Sequence, residues 1–81
     1  MNDTVTYKNL KTNKTDVITR HDIEIVDWGI TFYVDSELDA YKCAYKNRHN
    51  QHGVEVRYTV TNDKWKVTYF NELGAKLGFG R

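Results

Sequence analysis

Cys43, His21, His49 and His52 are the thiol and imidazole groups of this 81-residue chain, so metal or nucleophilic chemistry would have to start from them. Zinc sites pair their ligands at short CxxC-like or HxxxH-like spacings, and Cys43, His49 and His52 do not follow that pattern. His49 and His52 fall in a run without apolar residues and read as a solvated loop, so no metal is expected. A nucleophilic Cys43 would need a histidine beside it and a third group to orient that histidine. Placed on a helix, Cys43 lies off the apolar stripe and reads as a small hydrophobe, partly exposed or packed at an edge. The neighbouring carboxylates Asp22/Glu24 and Glu37/Asp39 are accounted for by strand polarity and helix capping. Gly74, Gly78 and Gly80 around Lys76 are not a phosphate loop, because the lysine is misplaced and no strand–loop–helix unit follows. The expectation is a non-enzymatic chain with no cofactor.

Binding chemistry is better represented. Trp28 sits at a hairpin tip, and Tyr33 lies on the strand face that the inward alternation does not claim. Trp and Tyr are common interface anchors, so these two are the first candidates for a protein-binding site. A second candidate surface is the outward face of the last hairpin, with Arg57, Lys66 and Phe70 between Thr59 and Thr68. Cations interleaved with an aromatic on a sheet are what single-strand nucleic-acid binders use.

The elements that must position these residues are mostly strands. Val54, Val56, Tyr58 and Val60 alternate with polar residues, as do Trp65, Val67 and Tyr69. A two-residue turn at Asn62-Asp63 would pair Val60 with Trp65, Tyr58 with Val67 and Val56 with Tyr69, all on one face. A second hairpin spans Ile23–Val34, with Trp28-Gly29 as its turn, Ile23 facing Val34 and Ile25 facing Phe32. Thr4–Arg20 reads as a third, with Lys11–Lys14 at its tip. Both a tight turn and a bulged loop with left-handed Asn13 fit there.

One helix is expected over roughly Glu37–Arg48, with Ser36 as N-cap and Asp39 completing a capping-box variant. Leu38, Tyr41, Ala44 and Tyr45 recur at helical spacing and form its expected buried stripe. Asn71 could cap a short last helix, although Gly74, Gly78 and Gly80 make residues 71–81 a weakly structured tail. The order β-β-β-β-α-β-β then gives a single α+β domain over residues 1–81. One helix would cover a mostly antiparallel sheet of four to six strands. Its expected core holds Val54, Val56, Tyr58, Val60, Trp65, Val67, Tyr69, Leu38 and Tyr41.

Composition narrows the classes. Twelve Lys and Arg against eleven Asp and Glu argue against a polycation built for nucleic acid. The charge is segregated: +2 over residues 1–15, −6 over 16–39 and +5 over 40–81. Cross-strand pairing would account for that, and so would a dipolar surface that steers a charged partner. No apolar run is longer than that of Phe32–Val34, so no membrane segment is expected. With no leader and a lone cysteine, the expected compartment is the cytoplasm. Sheet edges invite self-pairing, so a homodimer is also among the expectations, with the strand of Thr31, Tyr33 and Val34 as the less protected edge.

In size, absence of proline and near-absence of cysteine, the chain resembles the small single-domain proteins of phages and mobile elements. Many of those bind and disable a host protein, including nucleases of bacterial defence systems. That resemblance implies an inhibitor acting on a larger protein and transfers no site. A small sheet-based nucleic-acid binder is the alternative.

Overall fold

Alternating side chains need a partner sheet face, and in the computed structural model, which describes residues 2–78, they find it in five antiparallel strands. The elements run β1 (Asp3–Asn9), β2 (Lys14–Val26), β3 (Gly29–Val34), α1 (Glu37–Lys46), β4 (Val54–Thr59), β5 (Lys64–Phe70) and α2 (Glu72–Lys76). The strands lie in the order β1-β2-β3-β5-β4, so the fold is α+β. It has one strand fewer than the expected order. Residues Lys14–Val26 form one long strand, kinked by a bulge between His21 and Glu24 where Asp22 adopts φ +54°. A bulge of this kind bends its strand and re-aims the half before it.

Two expected registers are corrected by two residues each. The last hairpin pairs Val54 with Tyr69, Val56 with Val67 and Tyr58 with Trp65. Its loop is the four residues from Val60 to Asp63, and the positive φ falls on Asp63 alone, at +52°. A two-residue turn would need positive φ at both Asn62 and Asp63. The wider loop avoids that, and Tyr58 Oη (2.5 Å to Asp63 Oδ1) and Thr59 Oγ1 (2.7 Å to the Lys64 carbonyl) brace it. The β1–β2 tip is built alike, with Asn9 opposite Lys14 and Asn13 at φ +59°. At the β2–β3 hairpin Val26 pairs with Gly29 and Ile25 with Ile30, so Asp27-Trp28 is the turn and Gly29 belongs to the strand. Gly29 is needed there: a Cβ would lie 2.1 Å from the Tyr69 carbonyl oxygen.

Because each slip is by an even number, the faces survive. Phe32, Val34 and Val67 are fully buried under α1 with Ile18, and Val5, Tyr7, Ile23, Val54, Val56, Trp65 and Tyr69 pack around them. Val60 is left on the loop at 82% exposure, and Ile25, beyond the end of the helix, is 83% exposed. Neither is core.

The helix corrects a further expectation. Ser36 caps it as expected, its hydroxyl accepting from Asp39 N at 3.1 Å. Its buried residues, however, are Ala40 and Cys43, while Leu38, Tyr41 and Tyr45 face outward and Tyr58 on β4 is also exposed. The sheet surface is already filled by Phe32, Val34 and Val67, so the helix presents its smallest side chains and approaches closely. Tyr69 Oη donates to the Cys43 carbonyl at 3.2 Å across the interface. Cys43 is thus central to the core rather than at its edge.

Ion pairs tie separate segments of the chain together, two of them joining the acidic middle to the basic last half. Lys42 reaches Asp16 at 2.7 Å, Lys64 reaches Asp35 at 3.1 Å, and Arg20 pairs with Asp3 while lying over the Phe32 ring.

Phe32→Ala should therefore cost about 3–5 kcal/mol, enough to remove most of a small domain's stability. Tyr41→Ala, at an exposed position, should stay within about 0.5 kcal/mol of the parent in the same urea titration. Alkaline stability follows from the core as well. Burial pushes the Cys43 thiol from 9.0 up to about 11 and the Tyr69 phenol from 10.0 up to about 12. Both protons are held more tightly folded than unfolded, so the unfolded chain ionises first. Stability should be full below about pH 9, decline as pH rises towards about 12, and decline less steeply in Cys43→Ala.

Candidate functional site

The face of the sheet away from α1 carries three rows of side chains, read across the paired strands. His21, Tyr33, Lys66 and Arg57 form one row. Glu24, Thr31, Thr68 and Glu55 form the next, and Gly29 faces Phe70 beyond it. Tyr33 lies on the central strand β3, not at an edge: β1 and β4 are the outer strands.

At one end of this face Trp28, Glu55, Arg57, Lys66, Thr68 and Phe70 enclose an open hollow of about 210 Å³. Trp28 is half-buried and forms one wall, and Thr68 is buried at the floor. The two candidate surfaces read from the sequence are therefore one. Trp28, Arg57, Lys66 and Phe70 share the hollow, and Tyr33 stands outside it, directly opposite Lys66 in the same row.

Phe70 has a different part from the one expected of it. It is 6% exposed, because α2 folds back over it, so it presents no ring face for stacking. Gly74 makes that cover close-fitting: a Cβ there would stand 2.5 Å from the Trp28 carbonyl oxygen and 2.9 Å from Phe70 Cδ1. Asn71 ties α2 down. Its Oδ1 accepts from Gly74 N at 3.0 Å, its Nδ2 donates to the Asp27 carbonyl at 2.9 Å, and its backbone N–H donates to the Trp28 carbonyl at 3.0 Å. One residue thus caps the last helix and clasps the turn that carries Trp28. The sequence suggests Asn71 as a cap, but the clasp depends on β5 lying beside β3. Residues 79–81 of the expected tail lie outside the described residues.

The charges of the face are mixed. Arg57 Nε stands 3.8 Å from Glu55 Oε1, and Lys64 lies 3.1 Å from Asp35. Asp35 is held below the usual carboxylate range by Lys64 first and His21 second. A hollow with an aromatic wall, two cations and one carboxylate can take one apolar side chain flanked by an acidic group. Its volume is below the roughly 300–1,000 Å³ of small-molecule sites.

The groups that could do other chemistry are dispersed. Cys43 is buried in the core, His49 and His52 lie in the loop before β4, and His21 stands 3.2 Å from Asp35 on the helix-free face. Among the described residues, no three or more His, Cys, Asp or Glu side chains come together as a metal-holding group, and no helix is long and apolar enough to cross a membrane. A larger groove of about 620 Å³ lies where Ile25 and Ile30 run past the end of α1, bounded by His49, Asn50 and Asn71.

Gly74→Ala should lift α2 from the turn and cost about 1–3 kcal/mol as an overpacked contact. In a Trp65→Phe background, which leaves Trp28 as the sole indole, its fluorescence should shift to the red. An unchanged spectrum would show that α2 does not position Trp28.

Comparison of the chain with protein-family models, with curated proteins and with solved structures finds no match to any of them.

Proposed function

We propose that the chain is a non-enzymatic binding module that acts by occupying a surface on a larger protein, with the helix-free face as its working surface. The observation that carries this reading is the gathering of Trp28, Arg57 and Lys66 around one hollow, with Tyr33 directly beside Lys66, from three different strands and a turn. Interfaces concentrate their energy in a few aromatic and Arg residues that sit together, and this face has that composition. The resemblance in size and composition to phage and mobile-element proteins suggests the form of the activity. It would be inhibition of a host protein, a defence nuclease among the candidates.

Two features favour a protein over nucleic acid. Phe70 is covered by α2 and offers no ring for base stacking, and Glu24 and Glu55 share the face with its cations. A polyanion would be repelled by those carboxylates, whereas a protein surface of mixed charge can match them.

Affinity capture from a host extract should compare the parent chain with Trp28→Ala, Lys66→Glu and, as a control on the other face, Tyr45→Ala. Loss of one hot-spot residue costs about 2 kcal/mol or more, roughly a 30-fold weakening. The partner should be lost with Trp28→Ala and Lys66→Glu and retained with Tyr45→Ala, while circular dichroism stays that of the parent. Loss with Tyr45→Ala alone would move the working surface to the helix. Binding to single-stranded DNA that falls steeply with salt would replace this reading with the nucleic-acid one.

A further inference from the structure

The outer strands β1 and β4 differ in how their free edges are treated. On β1, Lys46 Nζ donates to the Thr6 carbonyl at 2.5 Å, so one acceptor of that edge is already taken by a lysine of the helix. On β4 the edge-facing groups follow from the ladder. Phe70 N–H donates to the Gly53 carbonyl, which makes Gly53 and Phe70 a hydrogen-bonded pair. Antiparallel pairs alternate, so Glu55 and Arg57 bond inward to β5, whereas Val54, Val56 and Tyr58 aim their N–H and C=O groups outward.

We propose that β4 pairs antiparallel with β4 of a second copy of this chain about a two-fold axis at Val56, joining two five-stranded sheets into one. The order Val54-Glu55-Val56-Arg57-Tyr58 is self-complementary when reversed. With Val56 opposite Val56 of the second copy, Val54 faces Tyr58 and Glu55 faces Arg57, and the same contacts recur on the other side of the axis. The outward-pointing backbone groups of Val54, Val56 and Tyr58 meet one another in this register. Sliding by one pair in either direction puts Arg57 opposite Arg57 or Glu55 opposite Glu55, and like charges directly opposite are destabilising. Charge therefore disfavours both neighbouring registers.

The side chains flanking the edge suit the same partner. On the helix side Tyr58 is 43% exposed. Ala44 and Arg48 of the helix line a hollow with Val54, and Tyr41, one turn before Ala44, shares that flank at 55% exposure. A second copy would cover these tyrosines with its own. On the opposite face the two hollows beside Trp28 would stand side by side across the axis, making the working surface bivalent.

Sedimentation of the purified chain from about 5 to about 200 μM, a range suited to a micromolar contact, should show the mass rising towards twice that of one chain. Arg57→Glu and Glu55→Arg should each weaken association about 10-fold or more, and the double exchange Glu55→Arg/Arg57→Glu should restore it, because the opposed pair is regenerated with its sign reversed. Amide exchange at Val54, Val56 and Tyr58 of the parent should slow as concentration rises, which needs no variant to fold. A monomer throughout, association indifferent to both single exchanges, or a double exchange that does not restore it would each overturn the proposal. No partner protein enters these measurements, so their failure leaves the reading of the helix-free face standing.

Discussion

The approach of α1 to the sheet is the constraint on which the other features depend. Ala40 and Cys43 are small enough for the helix backbone to come within hydrogen-bonding distance of a sheet side chain, as the Tyr69 contact to the Cys43 carbonyl shows. That closeness lets Phe32, Val34 and Val67 be fully buried in a domain with little core to spare. It also turns Leu38, Tyr41 and Tyr45 outward. The same residue closes the core, and burial raises the Cys43 thiol well above its ordinary value, which disfavours its thiolate.

Alternation was legible in the residues themselves. Val54, Val56, Tyr58, Trp65, Val67 and Tyr69 share the helix side of the sheet, and Glu24, Thr31 and Tyr33 share the other. Register was not legible, because it depends on loop length, and loop length depends on which residue accepts a positive φ. Asn62-Asp63 and Trp28-Gly29 look like two-residue turns. Yet Asp63 is the last residue of a four-residue loop, and Gly29 is kept free of a Cβ by the Tyr69 carbonyl. The helix face failed for a different reason. Bulky residues at helical spacing suggest a buried stripe, but what a helix buries depends on the space the sheet leaves, which no local pattern records.

The candidate site was legible as residues and illegible as a site. Trp28 and Tyr33 belong to the β2–β3 hairpin, and Arg57, Lys66 and Phe70 to the β4–β5 hairpin, so a linear reading treats them as alternatives. Insertion of β5 between β3 and β4 joins them. That placement is a long-range pairing, set by the crossover through α1, and local hairpin geometry says nothing about it. Asn71 shows the same effect on a smaller scale. Its capping role follows from its neighbours, whereas its bonds to the Asp27 and Trp28 carbonyls exist because the end of β5 lies against the β2–β3 turn.

The charge pattern is now better understood as a set of positional ties than as a source of stability. Asp16–Lys42 and Asp35–Lys64 each join the acidic middle of the sequence to its basic last half, and each is partly exposed. Pairs of that kind contribute about 0–1 kcal/mol each, too little to decide the fold. What they fix is geometry. Lys42 draws the bent first half of β2 towards the helix, and Lys46, one turn later, lies on the β1 edge through Thr6. Like-charge repulsion and backbone competition then disfavour pairing of a further strand on β1. The β4 edge, on the other flank of the helix, has no equivalent lysine among the described contacts, and its charges, Glu55 and Arg57, are of opposite sign and two residues apart. One edge has a carbonyl taken by a helix lysine, and the other is left with a charge pattern that a reversed copy of itself would match.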